Sequence, residues 1–297
     1  MRSAARRHPL TTYLVLVYAA TVAVFALPFL SNSGLGIIDL DLPGVAPFVL
    51  LLAIWLAVAA FITAALTDGR DGVRELRRRV FNLRVHPGWY VLALFLLPAT
   101  ALATAVALSG PGPIGELLGK PDLLLTGVVL AALVAFLLVN WWEEAGWTGF
   151  VLDRLQPRIG PVAASVVTTW LQATVHLPLV FVADGVTVGR VPADQVPFYL
   201  VALFVLPIAV RLVITWLYNA TGRSVPVVGL YHAGLGVASG TAVIPVIAPE
   251  FAAGLVYAGF AVLAAAVLIA TRGHLGYVAT GDATAASWRL GEAQPGA

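Results

Sequence analysis

The chain has 297 residues, is 60% hydrophobic and only 11% charged, and carries a net charge of +2. That composition excludes an ordinary soluble globule and points to a polytopic membrane protein. The absence of cysteine excludes disulfides, thiolate metal sites and cysteine nucleophiles.

Eight apolar stretches are long enough to cross a bilayer, which takes roughly 17–25 helical residues. In chain order they run near Leu10–Leu30, Val45–Thr67, Trp89–Leu108, Leu123–Trp142, Val162–Phe181, Phe198–Tyr218, Val225–Val243 and Phe251–Thr271. The first is too long for a signal-peptide core and is read as a span. Prolines inside the spans, Pro28, Pro98 and Pro207, are tolerated in a membrane helix. The expected fold is an all-α polytopic bundle of about eight transmembrane helices. We divide it into N-terminal helices over 1–122 with a basic loop at 68–88, a core over 123–243, and a last span with a short polar tail over 244–297.

The basic residues alternate cleanly between the two sides. Fourteen of them fall in the N-terminal tail, the second, fourth and sixth loops and the C-terminal tail, while only Lys120 and Arg190 fall in the odd loops. The positive-inside rule then places both termini in the cytoplasm of a multi-pass cell-membrane protein. The second loop, Asp68 to His86, is a topology determinant. Its Leu76, Val80, Phe81 and Leu83 could also lie on lipid while the arginines meet anionic headgroups. The tail after Arg272 is small and polar and is expected to be disordered. No nucleic-acid motif or glycine-rich phosphate loop occurs.

Glu143 and Glu144 interrupt the most apolar part of the chain, and His176 and His232 lie in later spans. Ionisable side chains in hydrocarbon cost several kcal/mol and mark functional or paired positions. If the fourth helix continues to Arg154, Glu143 lies about 16 Å from its cytoplasmic end at 1.5 Å per residue. His176 and His232 then lie about 22 and 12 Å deep by the same rise. The groups can meet at similar depth in a cavity open to the cytoplasm. The two glutamates are about 100° apart on a helix, so they are expected to serve different targets. Thr148 at i+4 is a hydrogen-bond partner for Glu144, and Trp147 walls Glu143.

These residues carry a resemblance. The run Glu143-Glu144-Ala145-Gly146-Trp147-Thr148-Gly149-Phe150 with Asp153-Arg154-Leu155-Gln156 resembles the Glu-Glu-x-x-x-Arg motif of the CAAX-protease and bacteriocin-processing (Abi) intramembrane proteases. Gln172 to His176-Leu177-Pro178 is similar to their second motif, and Thr215 to Gly222 followed by His232 to their third. The resemblance implies an intramembrane endopeptidase acting on membrane-associated protein or peptide substrates. It casts Glu143 as the base that activates water, His176 as the group that orients that water, and His232 as a donor to the oxyanion. Whether zinc takes part is left open by the motif, since Glu143, His176 and His232 would suffice as its ligands.

Three positions depart from the pattern. Thr148 replaces the motif arginine, so Glu144 needs another cation, for which we nominate Arg211 in the sixth span. Gly236 stands four after His232 where an Asn would supply an oxyanion donor. With Gly240 it is also spaced for close helix packing. Leu171 or Gln172 replaces an aromatic residue. An alternative is a catalytically impaired member acting as a membrane scaffold or bacteriocin-immunity protein. A proton-coupled carrier using Glu and His as relays is a third reading. Ser239 shares the face of His232 without a serine-protease setting, and no Asp lies within the spans.

Overall fold

The computed structural model describes residues 2–186, 189–241 and 255–278; side chains are described for 5–186, 189–238 and 255–278. Every regular element among them is helical. The long helices are α1 Pro9–Leu30, α2 Ala46–Thr67, α3 Gly69–Val80 and α4 Pro87–Ser109. They are followed by α5 Leu123–Ile159, α6 Pro161–His176, α7 Val196–Ala220, α8 Val225–Leu235 and α9 Val256–Ala270. Five of these, α1, α2, α4, α5 and α7, are long and apolar enough to cross a membrane, and α8 and α9 are shorter apolar helices. The end of the seventh expected span, the start of the eighth and most of the polar tail lie outside the described residues.

The outer surface is that of a protein solvated by lipid. Val15, Val22, Leu51, Val91, Leu108, Val201, Val262 and Ile269 are all exposed. Between helices the contacts are built from small residues, because lipid removes the hydrophobic gain of packing large ones. On α4 the buried stripe is Ala93, Leu97, Ala101 and Ala105, one residue per turn. On α2 it is Ala53, Ala57, Ala60 and Ala64.

α5 and α8 form the centre. α2 packs on α5, α4 on α8, α6 on α7, and α9 against both α4 and α7. Gly229 sets the approach of α8 to α5. A Cβ there would meet Trp141 Cα at 3.1 Å and the Phe136 ring at 3.2 Å. Gly229 lies one turn before His232, so it fixes how near that histidine comes to the glutamates of α5. Gly229→Ala is expected to destabilise the protein by about 1–3 kcal/mol, the usual cost of overpacking. Unfolding in mixed micelles measures this, and an unchanged midpoint would mean that the contact has slack.

α5 runs beyond the apolar stretch Leu123–Trp142 to Ile159, the continuation on which the depth of Glu143 was reckoned. Hydropathy marks where a helix meets lipid, and the segment after Trp142 is buried in protein, with Glu143 to Leu152 all inaccessible. It contains three wide π-helical stretches, Leu123–Leu130, Phe136–Asn140 and Trp147–Leu152. Such turns are frequent at functional sites. The last of them leaves the Gly149 carbonyl to accept from Arg79 Nη1 at 3.1 Å.

α3 closes an alternative that the sequence leaves open. Leu76 and Val80 are 1% and 0% exposed and face protein, not lipid. Buried Arg79 pairs with Asp153 at 2.6 Å, and Tyr218 donates to the same carboxylate at 3.1 Å. Arg154 also pairs with Asp68. α3 is therefore clamped over the end of α5, and only Phe81 and Leu83 remain outside.

Candidate active site

Four helices bring the site together. α5 supplies Glu143, Glu144 and Thr148, α6 supplies Gln172 and His176, α7 supplies Arg211, and α8 supplies His232. Each helix is set by its own local signals. α6 starts at Pro161 after Gly160 at φ 77° and ends at His176, since Pro178 has no N–H to continue the ladder. α8 starts at Ser224, whose hydroxyl caps the Val227 N–H and donates to the Asn82 carbonyl at 2.8 Å.

Glu144 is fully buried and fully engaged. Arg211 Nη1 lies 2.7 Å from Oε2 and Nη2 lies 3.0 Å from Oε1. Thr148 donates to Oε2 and accepts from Arg211 Nη1 at 2.9 Å. Arg211 also donates to the Gln172 side-chain oxygen. The cation nominated from the sequence is thus the one the fold delivers. Thr148 takes the place of the motif arginine and leaves room for a guanidinium coming from α7.

His232 Nδ1 lies 2.7 Å from Glu144 Oε1 and 3.9 Å from Glu143 Oε2. The nearer oxygen sits off the direction of the ring N–H, so this is a close contact without an aligned hydrogen bond. Both glutamates approach this imidazole, Glu144 closely and Glu143 from farther off. Residues 100° apart both reach an imidazole placed between them, because a carboxylate projects two carbons beyond Cβ.

Glu143 carries no strong partner. Its Oε1 lies 3.9 Å from His176 Nε2. His176 Nδ1 lies 2.9 Å from the Gln172 carbonyl. A carbonyl only accepts, so Nδ1 bears the proton and Nε2 presents a lone pair in the neutral ring. Gln172 was read only as a replaced aromatic. It is instead the junction that holds His176 through its backbone and Arg211 through its side chain. Its position four residues before His176, on the same helix face, was the available signal.

A cavity of about 220 Å³ adjoins these groups. Gln172, His176, Arg211 and His232 form its polar side, and Leu203, Pro207 and Tyr257 are among its other walls. The helix ends on the basic side are covered by α3 and by the turn after α9, where Asn219 donates to the Leu275 carbonyl at 2.9 Å. Gly236 is exposed, and a Cβ there would meet nothing within 4 Å. Among the described residues nothing packs closely on Gly236. Gly240 and Ser239 lie outside the described side chains.

The donor set does not fit a metal as arranged. Among the described residues no group of three or more His, Asp or Glu side chains could hold one. His232 Nδ1 is turned to Glu144, and both histidine nitrogens stand 3.9 Å from Glu143.

Residues 125–238 match the family model described as type II CAAX prenyl endopeptidase Rce1-like. Over this segment the chain is similar to the CAAX-protease family. All the site residues named above lie within the matched segment, and α1 to α4 and α9 lie outside it. A similar protein is CAAX prenyl protease 2 of Methanococcus maripaludis, 24% identical over 181 residues. The match covers 59% of this chain and 66% of that protein, a little under two thirds of its length.

Proposed function

We propose that the chain is an intramembrane endopeptidase that hydrolyses peptide bonds of membrane-associated substrates, with Glu143 as general base. One observation carries the reading. Glu143 Oε1 and the lone pair of His176 Nε2 are two acceptors 3.9 Å apart. Two facing acceptors call for a molecule with two O–H donors, and a water about 2.8 Å from each satisfies both. That water attacks the scissile carbonyl carbon while its proton passes to Glu143. The developing oxyanion takes a hydrogen bond from the Nε2–H of His232 as an imidazolium, whose other nitrogen faces the Glu144 carboxylate. Glu143 then returns the proton to the leaving amine.

Arg211 gives Glu144 the opposite task. Its two oxygens are occupied by Arg211, Thr148 and His232, so Glu144 is a fixed anion that positions His232 and takes no proton from substrate. No step needs a metal. The basic loops and both termini face the cytoplasm in this reading, by the positive-inside rule.

Purified protein incubated with a quenched peptide library tests the reading, with and without chelator. Internal cleavage that persists in chelator is the expected result. Cleavage abolished by chelator and restored by zinc would replace the water-bridged pair with a metal held by Glu143, His176 and His232. The absence of cleavage across membrane-anchored peptides would favour a non-catalytic scaffold, the alternative that Gly236 suggests.

A further inference from the structure

We propose that the outer face of α3 and the connection after it form a binding site for an anionic phospholipid. The inference does not rest on proteolysis.

α3 cannot roll. Leu76, Arg79 and Val80 are buried, and Arg79 is tied to Gly149 and Asp153 of α5. The opposite stripe, Arg70, Arg74, Arg77, Arg78 and Phe81, is therefore held outward, and all of it is exposed. α3 joins the end of α2 at Thr67 to the start of α4 at Pro87, two helices that cross the membrane. The stripe thus lies where the bundle leaves the hydrocarbon.

A cleft of about 680 Å³ opens on this face among Arg74, Arg77, Arg78, Phe81, Leu83 and Arg84. Two of its arginines are already paired, Arg74 with Asp71 at 2.8 Å and Arg78 with Glu75 at 2.7 Å. The Arg77 and Arg84 side chains make no ion pair or hydrogen bond among the described residues. Beside them Phe81 and Leu83 are 48% and 55% exposed.

This pairing of groups selects the ligand. A soluble anion would use the two guanidinium groups and leave Phe81 and Leu83 bare. A zwitterionic or neutral lipid would cover Phe81 and Leu83 and leave the cations without net compensation. A phosphodiester with an acyl chain answers both: guanidinium binds phosphate oxygens in a fork, and the chain lies along the two apolar side chains. Each arginine near an anionic headgroup contributes about a fivefold gain in affinity.

The test uses the full chain in neutral detergent, titrated with phosphatidylglycerol, with phosphatidylcholine of the same acyl chains, or with inorganic phosphate. Native mass spectrometry reads retention and thermal unfolding reads stabilisation. Phosphatidylglycerol is expected to be retained and to raise the melting temperature, while the other two do neither. Arg77→Gln with Arg84→Gln is expected to weaken phosphatidylglycerol binding about 25-fold and leave the melting temperature without lipid unchanged. A charge-matched control, Arg158→Gln with Arg272→Gln, keeps the affinity.

Equal effects of phosphatidylcholine would overturn the proposal, as would an effect of phosphate alone. So would a double variant that still binds, or a control that loses as much, since either makes the attraction diffuse.

Discussion

Arg211→Ala is expected to destabilise the protein by about 3–5 kcal/mol, the cost of stripping the partner from a buried charge. Glu144 has no exposed surface, and Arg211 reaches both of its oxygens. Thr148 and His232 cannot replace the guanidinium, since one is neutral and the other meets a single oxygen. In a Glu144→Gln background the loss should shrink to about 1 kcal/mol, because no buried anion is left unpaired. The double-mutant cycle in mixed-micelle unfolding measures this directly. Simple additivity of the two changes would sink the pairing.

Gly236→Asn is expected to raise the turnover rate by about 10²–10³, the usual worth of one oxyanion donor. Gly236 lies one turn beyond His232 on the same face of the helical segment that continues α8. The space where its side chain would begin is open, so the carboxamide can be added without displacing backbone or packed side chains. The gain should appear in kcat, with KM little changed, since the donor meets the oxyanion and not the ground-state carbonyl. A variant with unchanged kcat would mean that the open space beside Gly236 is not where the oxyanion forms.

The helices were legible in the sequence where they touch lipid. α1, α2 and α4 begin and end within about two residues of the expected limits, because bilayer thickness imposes a length that hydropathy reads directly. Hydropathy marks only the Leu123–Trp142 part of α5 for the same reason. From Glu143 to Leu152 its surroundings are protein, and its polar groups are met by Arg79 and Arg211, neither of them adjacent in sequence. That Leu76 and Val80 could lie on lipid was an open alternative, because an amphipathic pattern shows that a helix has an apolar face and not what covers it.

The site was legible to the extent that it is charged. Glu143, Glu144, His176, His232 and Arg211 are conspicuous in apolar spans, and the fold brings all five together. Gln172 was not conspicuous, because a neutral amide in a span is cheap enough to need no explanation. The sharing of His232 by two adjacent glutamates was also hidden. Helical phase fixes where Cβ points, and the position of an imidazole on another helix decides which carboxylates it meets.

The central claim is that Glu143 is the base of a peptidase. The most direct measurement is kcat/KM for wild type and Glu143→Gln on one membrane-anchored peptide, with folding of both checked by thermal unfolding. A fall of about 10²–10⁴ is expected, the contribution of a positioned general base, with the melting temperature kept. A folded Glu143→Gln protein that cleaves at the wild-type rate would contradict it.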